Sequence, residues 1–328
     1  MNVLITGGAG FIGSHLAEFM LARDASVAVL DDLSTGSMAN IAEARRSPRF
    51  RHVIDSVLNR PVVAELVDEA DVVFHLAAAV GVRLIVDRPA HTIESLVHGT
   101  ELVLEAAAKK LKKVVLASSS EVYGKSAHSP YREDDDMVFG ATTKSRWSYG
   151  CAKAIDEFLA LAYHADAGLP VVVARLFNTV GPRQVGRYGM VLPRFVEQAL
   201  ADGPITVYDD GLQERCFTYV GDVVEALAGL AANEKAEGRV FNVGSETPVS
   251  MNDLAARVRD RVDPALEIVH IPYDVAYEAG FEDVRRRVPD CSRIRDLTGW
   301  EPGMDLDRII DIVIRDRRAH RPEGGAAS

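Results

Sequence analysis

The residues Tyr149-Gly150-Cys151-Ala152-Lys153 pair a phenol with an ammonium at i, i+4 spacing. On a helix that spacing puts both side chains on one face. A phenol with a pKa near ~10 is a poor base at neutral pH. A cation one turn away, together with a positively charged nicotinamide, would stabilise its phenolate. Such a tyrosine could take the proton of a sugar hydroxyl whose carbon gives up hydride. Y-x-x-x-K alone carries little weight, because chance matches abound; its position in the chain gives it meaning. It follows an apolar run that closes on Ser118-Ser119-Ser120-Glu121. A hydroxyl cluster there could orient a sugar, although Ser118 and Ser120 read equally well as turn caps. Tyr163 and Tyr219 read as packing or loop residues.

A second group of residues could hold a dinucleotide. Gly7, Gly10 and Gly13 form G-x-x-G-x-x-G directly after the first apolar run, with Phe11 and Ile12 between them. Glycine is needed there for a tight turn, for bare backbone against a pyrophosphate and for close helix–strand packing. The following helix offers its N-terminal amides to phosphate. The second apolar run ends in Leu30-Asp31-Asp32. An acid at that point accepts from a ribose 2′-hydroxyl and repels a 2′-phosphate, which favours NAD over NADP. Asp31 is the expected ribose contact; Asp32 is either a neighbour in that role or a solvated loop acid.

These groups must be carried by a regular scaffold. Val3–Thr6, Ser26–Leu30, Arg51–Ile54, Val72–Leu76, Val114–Ala117 and Val171–Leu176 are short, β-branched and apolar, and read as strands buried on both faces. Amphipathic segments lie between them, among them Gly13–Arg23, Thr92–Lys109 and Tyr149–Ala165. Strand–helix alternation predicts an α/β fold, a doubly wound parallel sheet with right-handed crossovers. After Asn178 the pattern loosens into strands (Ile205–Tyr208, Val240–Val243, Ile268–Ile271) and helices (Leu192–Ala201, Asp222–Ala232, Asn252–Val262, Leu306–Arg317). With no Gly/Ser linker, residues 178–320 are expected to form mainly a substrate lobe packed on a dinucleotide-binding domain of residues 1–177. A stretch from about 215 to 243 is expected to return to that domain. The tail 321–328 is expected to be disordered.

The 328 residues suit one large domain or two joined ones. A net charge of −11 argues against a nucleic-acid partner. No apolar stretch approaches the roughly 18 residues of a spanning helix, and the N-terminus lacks a signal peptide's basic segment. Cys151, Cys216 and Cys291 are few and widely spaced, which points to reduced thiols and a cytoplasmic setting. His75, His91 and His98 read as structural, so no metal is expected.

Together these motifs resemble the extended short-chain dehydrogenases that epimerise, dehydrate or decarboxylate nucleotide-sugars. The resemblance covers almost the whole chain: TGGAGFIGSHL at 6–16, LDDLSTG at 30–36, HLAAAVGV at 75–82, SSSEVYG at 118–124, the Tyr–Lys pair, RLFNTVGPR at 175–183 and QERCFTYVGDVVEAL at 213–227. It implies a Rossmann domain with a smaller C-terminal lobe, NAD as cofactor, a UDP-type nucleotide-sugar as substrate and a homodimer built on two helices, for which Thr92–Lys109 and Tyr149–Ala165 are candidates. It implies that Ser119 bonds the sugar's 4-hydroxyl, that Tyr149 is the base and that Lys153 is its partner. Ser56, Val57, Leu76, Ala77, Ala78 and Ala79 would line the cofactor. Asn178, Leu192, Arg215 and Arg287 would contact substrate, and Arg183 and Arg194 would either do so or form surface ion pairs. Two positions depart from the family's pattern. Ser56 stands where an adenine-contacting Asp is usual, with Asp55 one place early, and Leu96 stands where N-V-x-G-T has Asn.

Within that family, Ser119-Ser120-Glu121 resembles the Thr/Ser–Ser–Glu of UDP-glucuronate decarboxylases, a triplet that GDP-mannose dehydratases share and that does not decide the reaction alone. Trp147, Gln213–Thr218 and Gly280–Val284 followed by Arg287 and Pro289 resemble the same enzymes. Oxidising carbon 4 of a glucuronate gives a β-keto acid that loses CO₂ through an enolate, which must be protonated at carbon 5. Glu121 and Arg215 are the expected handlers of the carboxylate and the proton, with Ser120 beside them. The alternative is a 4-epimerase of UDP-glucose or UDP-glucuronate, which needs only Ser119, Tyr149 and Lys153. A 4,6-dehydratase or a non-catalytic NAD-binding protein follows less well.

Overall fold

The structure, a computed structural model, describes residues 1–78, 89–186, 190–276 and 283–320, without the side chains at 89, 91, 274 and 276. Ala79, residues 280–282, the side chain of His91 and the tail 321–328 therefore lie outside the described residues.

The central layer is a seven-stranded sheet. Its strands are β1 (Asn2–Thr6), β2 (Ser26–Asp31), β3 (Phe50–Ile54), β4 (Val72–His75), β5 (Lys113–Ser119), β6 (Val171–Leu176) and β11 (Arg239–Val243), in the order β11-β6-β5-β4-β1-β2-β3. Every pairing in it is parallel. The order reverses between β1 and β4, and in such sheets ligands bind in the crevice outside the strand ends at that point.

Both faces of the sheet are covered, so consecutive strand residues are apolar. Val3 and Ile5 face a core shared with α1 (Phe11–Leu21) and α6 (Val220–Ala232). Leu4 faces the opposite core, made with α2 (Arg60–Glu69), α3 (Pro89–Ala108) and α4 (Ser148–Ala167). Burying each large apolar side chain contributes about 1.5–3 kcal/mol. The edge strand β3 is the exception to the expected two-sided burial. Its pattern is half-buried and Ile54 is 47% exposed, because β3 has a neighbour on one side only and Arg51 reaches Glu65 and Glu69 of α2. At the other end, β11 pairs with β6, and α6 packs beside α1.

The remaining elements are β7 (Thr179–Val180), α5 (Val191–Leu200), β8 (Ile205–Tyr208), β9 (Glu214–Cys216), β10 (Thr218–Tyr219), β12 (Pro248–Ser250), α7 (Met251–Val262), β13 (Ile268–Ile271), α8 (Tyr273–Ala276), β14 (Arg286–Arg287), α9 (Ser292–Thr298) and α10 (Leu306–Ala319). Helices α5, α7 and α10 bury Phe195, Val196, Leu254, Val258, Ile310 and Val313 in a core of their own. A three-stranded sheet in the order β12-β9-β14 sets Arg287 opposite Arg215. Among the described residues no helix is long and apolar enough to cross a membrane.

Candidate active site

One cavity of about 670 Å³ runs from the glycine turn, past the ends of β2, β4 and β5, to α5, β9 and β14. Gly7, Gly10, Phe11, Ile12, Gly13, Asp31, Asp32, Ser56, Val57, Leu76, Ala77 and Ala78 line one part of it. Ser119, Ser120, Glu121, Tyr149, Lys153, Asn178, Arg183, Leu192, Arg215 and Arg287 line the rest.

The glycine turn is closely packed. A Cβ on Gly13 would lie 2.2 Å from the Gly7 carbonyl oxygen, and one on Gly7, whose φ is +71°, would lie 2.9 Å from the Ala77 amide nitrogen. Asp31 accepts from the Ala9 amide (2.9 Å) and the Leu33 amide (2.8 Å), and burial pushes its carboxyl up. Each carboxylate oxygen has a second lone pair, so Asp31 can still accept from a ligand hydroxyl. Bare backbone at the turn and an acid at the end of β2 fit a dinucleotide. Asp32 is exposed and caps its own loop by accepting from the Ser34 amide at 2.9 Å. Asp55 also lines the cavity, with its carboxylate engaged by Asn59 (2.9 Å) and the Ser56 amide (2.7 Å), while Ser56 accepts from the Leu58 amide (3.2 Å).

Beyond the turn, strand β5 ends at Ser119, whose hydroxyl caps a 3-10 turn (Ser120–Tyr123) by accepting from the Glu121 amide at 3.2 Å. Helix α4 lies directly against that turn, since a Cβ on Gly150 would be 2.5 Å from the Glu121 carbonyl. This approach brings Tyr149 next to Ser119 on the cavity wall. Burial raises the Tyr149 phenol, and the charges of Glu121 and Asp156 raise it further, while the Ser119 hydroxyl lowers it. Lys153 is buried one turn on and donates to Asp156 at 3.2 Å. Ser118 instead hydrogen-bonds to Glu157, which also receives the Arg175 guanidinium at 2.7 Å, so it belongs to a buried ion pair behind the strand. Ser120 is buried at the start of the turn.

Glu121 sits between two guanidinium groups. Arg287 donates to its Oε1 at 2.6 Å, and Arg146 donates to Oε2 at 2.7 Å and to Oε1 at 3.2 Å. Burial alone would raise this carboxyl, but the two arginines win and hold it far below the usual carboxylate range. Arg146 was not among the expected site residues; its signal was only its place three residues before Tyr149. Arg215, expected to work with Glu121, gives its guanidinium to Asp283 (2.8 Å) and the Glu214 carbonyl (2.8 Å) instead. Strand β14 places Arg287 on Glu121 and leaves Arg215 one strand away.

The other expected substrate contacts are spread along the cavity. Asn178 donates to the Cys216 carbonyl at 3.0 Å. Arg183 is tied to Ser14 (3.2 Å) and Glu18 (2.7 Å) of α1. Arg194 lies 4.0 Å over the Tyr208 ring and donates to the Thr206 carbonyl at 3.1 Å. Leu192 is fully buried at the cavity wall.

The family model described as GDP-mannose 4,6 dehydratase matches residues 4–313, and the chain belongs to that family. It is 42% identical over 95% of its length, and 96% of the relative's, to a UDP-N-acetyl-alpha-D-glucosaminuronate decarboxylase of Bacillus cytotoxicus. It is 34% identical to UDP-glucuronic acid decarboxylase 1 of Arabidopsis thaliana, over 97% of this chain and 70% of the relative's. A solved structure of UDP-glucuronic acid 4-epimerase from Bacillus cereus, in complex with UDP-glucuronic acid and NAD, superposes with a TM-score of 0.87 at 27% identity, covering 97% of this chain and 99% of that one.

Proposed function

We propose that this protein is an NAD-dependent decarboxylase of a UDP-linked uronate, UDP-glucuronate or a 2-acetamido counterpart. The observation that carries this reading is the Arg287–Glu121–Arg146 cluster beside Ser119 and Tyr149. Two guanidinium groups on one carboxylate leave a surplus positive charge at the reacting end of the cavity. A neutral hexose has no use for that surplus, whereas a uronate brings its own carboxylate. The named activities of the two relatives support the same choice.

When bound, NAD supplies the hydride acceptor and donor at the sugar's carbon 4. Tyr149 takes the 4-hydroxyl proton on its Oη, and Ser119 holds that hydroxyl in line. Lys153 keeps positive charge under the phenol. Loss of CO₂ breaks the C5–C6 bond and sends its electron pair toward the carbon 4 oxygen. Arg287 and Arg146 stabilise the negative charge in this end of the cavity. Glu121 is ionised, so it orients the arginines and does not donate the proton that carbon 5 must regain. The second reading, a 4-epimerase, is favoured by the likeness to the Bacillus cereus structure.

The working form is a homodimer. Helices α3 and α4 lie side by side, and their outer surface exposes Ile93, Ile155 and Phe158, the last at 67%. The three cysteines are free, which suits a reducing, cytoplasmic setting.

The test is incubation of the protein and NAD⁺ with UDP-glucuronate and with its 2-acetamido counterpart, followed by mass spectrometry and proton NMR. Loss of CO₂ from either supports the reading. Unchanged mass with inverted carbon 4 replaces it by the epimerase.

A further inference from the structure

Behind the catalytic pair lies a buried polar chain that neither the Tyr149–Lys153 motif nor the glycine turn explains. On α4, Tyr149, Lys153 and Asp156 follow one another at i, i+4 and i+7, all facing inward. Asp156 is fully buried. It accepts from Lys153 Nζ at 3.2 Å, and Thr100 of α3 stands beside it. Thr100 Oγ1 is 3.2 Å from His75 Nε2, His75 Nδ1 is 2.7 Å from Thr6 Oγ1, and Thr6 Oγ1 accepts from the Ala77 amide at 3.2 Å.

His75 lies behind this pair and is neutral, since burial and then the charge of Lys153 push it down to about 3. Its two ring nitrogens are held by Thr100 and Thr6, so it brings no charge to Asp156.

We infer that Asp156 is a positioning residue: it is the buried counter-ion that keeps Lys153 charged and fixed beneath Tyr149. A buried ammonium without a partner is strongly disfavoured and sheds its proton. The bond to Asp156 uses one of its three N–H donors, leaving others for the cavity that Lys153 lines. This inference rests on the catalytic reading of Tyr149 and Lys153.

The test is the pH profile of kcat/KM for Asp156→Asn, with Tyr149→Phe in parallel. The charged groups facing Tyr149 are Glu121, clamped by Arg146 and Arg287, on the 3-10 turn, and Lys153 and Asp156 on its own helix. Around Asp156 stand neutral His75 of β4 and Glu157, the latter paired with Arg175 of β6. Asp156 raises the phenol, so its loss moves the acid limb to lower pH. For a charge two helical turns distant, about 10 Å, at an effective dielectric constant of about 20, the shift is roughly 1 pH unit. Asp156→Glu, which retains the charge, should bring the profile back toward the wild-type position.

A lower but unshifted profile for Asp156→Asn overturns the inference, because a merely structural role changes height and not position. Unchanged turnover in Tyr149→Phe would instead remove the catalytic reading itself. Should Asp156→Asn not fold, Lys153→Met with Asp156→Leu decides by thermal unfolding. Recovery of the fold supports a counter-ion, and no recovery overturns it.

Discussion

Glu121→Gln removes the negative charge from between two guanidinium groups that are themselves almost buried. The side chains of Arg287, Arg146 and Glu121 are 6%, 8% and 17% exposed, so solvent screens them little. A buried charge left without its partner costs about 3–5 kcal/mol. The glutamine oxygen still accepts from one arginine, which places the expected loss at the lower end, about 3 kcal/mol. At roughly 2–4 °C per kcal/mol for a large domain, Tm should fall by roughly 6–12 °C at pH 7. The pH dependence is the sharper readout. The folded carboxyl is held below its unfolded value near ~4.3, so its stabilisation is complete above that value and is lost as pH falls toward the folded pKa. The Tm gap between wild type and variant should therefore be full at pH 6–7 and narrow as pH falls below about 4. Differential scanning fluorimetry from pH 7 down to the onset of acid unfolding measures this directly. A gap under 2 °C at pH 7, or one that does not change with pH, would refute the clamp as the source of the stability. Product formation from UDP-glucuronate should fall by at least tenfold in the same variant, because both arginines lose their fixed orientation.

Gly13→Ala places a methyl group 2.2 Å from the Gly7 carbonyl. The turn must open, and NAD binding measured by calorimetry should weaken more than tenfold while the circular dichroism spectrum stays near wild type. Phe158→Glu puts a charge on the exposed face of α4 without touching the cavity. Sedimentation velocity should show a shift from dimer to monomer, and an unchanged sedimentation coefficient would count against that face as the contact.

Several features are legible in the residues alone because they depend on local chemistry. The alternation of apolar runs with 3.6-period segments specified the α/β class, since strands covered on both faces must be apolar throughout. Gly7, Gly10 and Gly13 announced the turn because only a residue without a Cβ fits there. The four-residue step from Tyr149 to Lys153 put them on one helix face through the pitch of the helix. What the sequence left open depends on contacts between distant segments. Arg287 reaches Glu121 across 166 positions, through a two-residue strand that no periodicity marks. Arg146 and Arg215 look equally suited to a carboxylate in the chain, and packing alone assigns one to Glu121 and the other to Asp283. Asp156 and Glu157 are adjacent acids on one helix, yet one meets Lys153 and the other Arg175. A side chain's type states which partners it can accept, but burial and the approach of other elements select the partner. For that reason the scaffold and the motif residues were determined by the sequence by itself, and the charge arrangement around them was decided only by the tertiary structure.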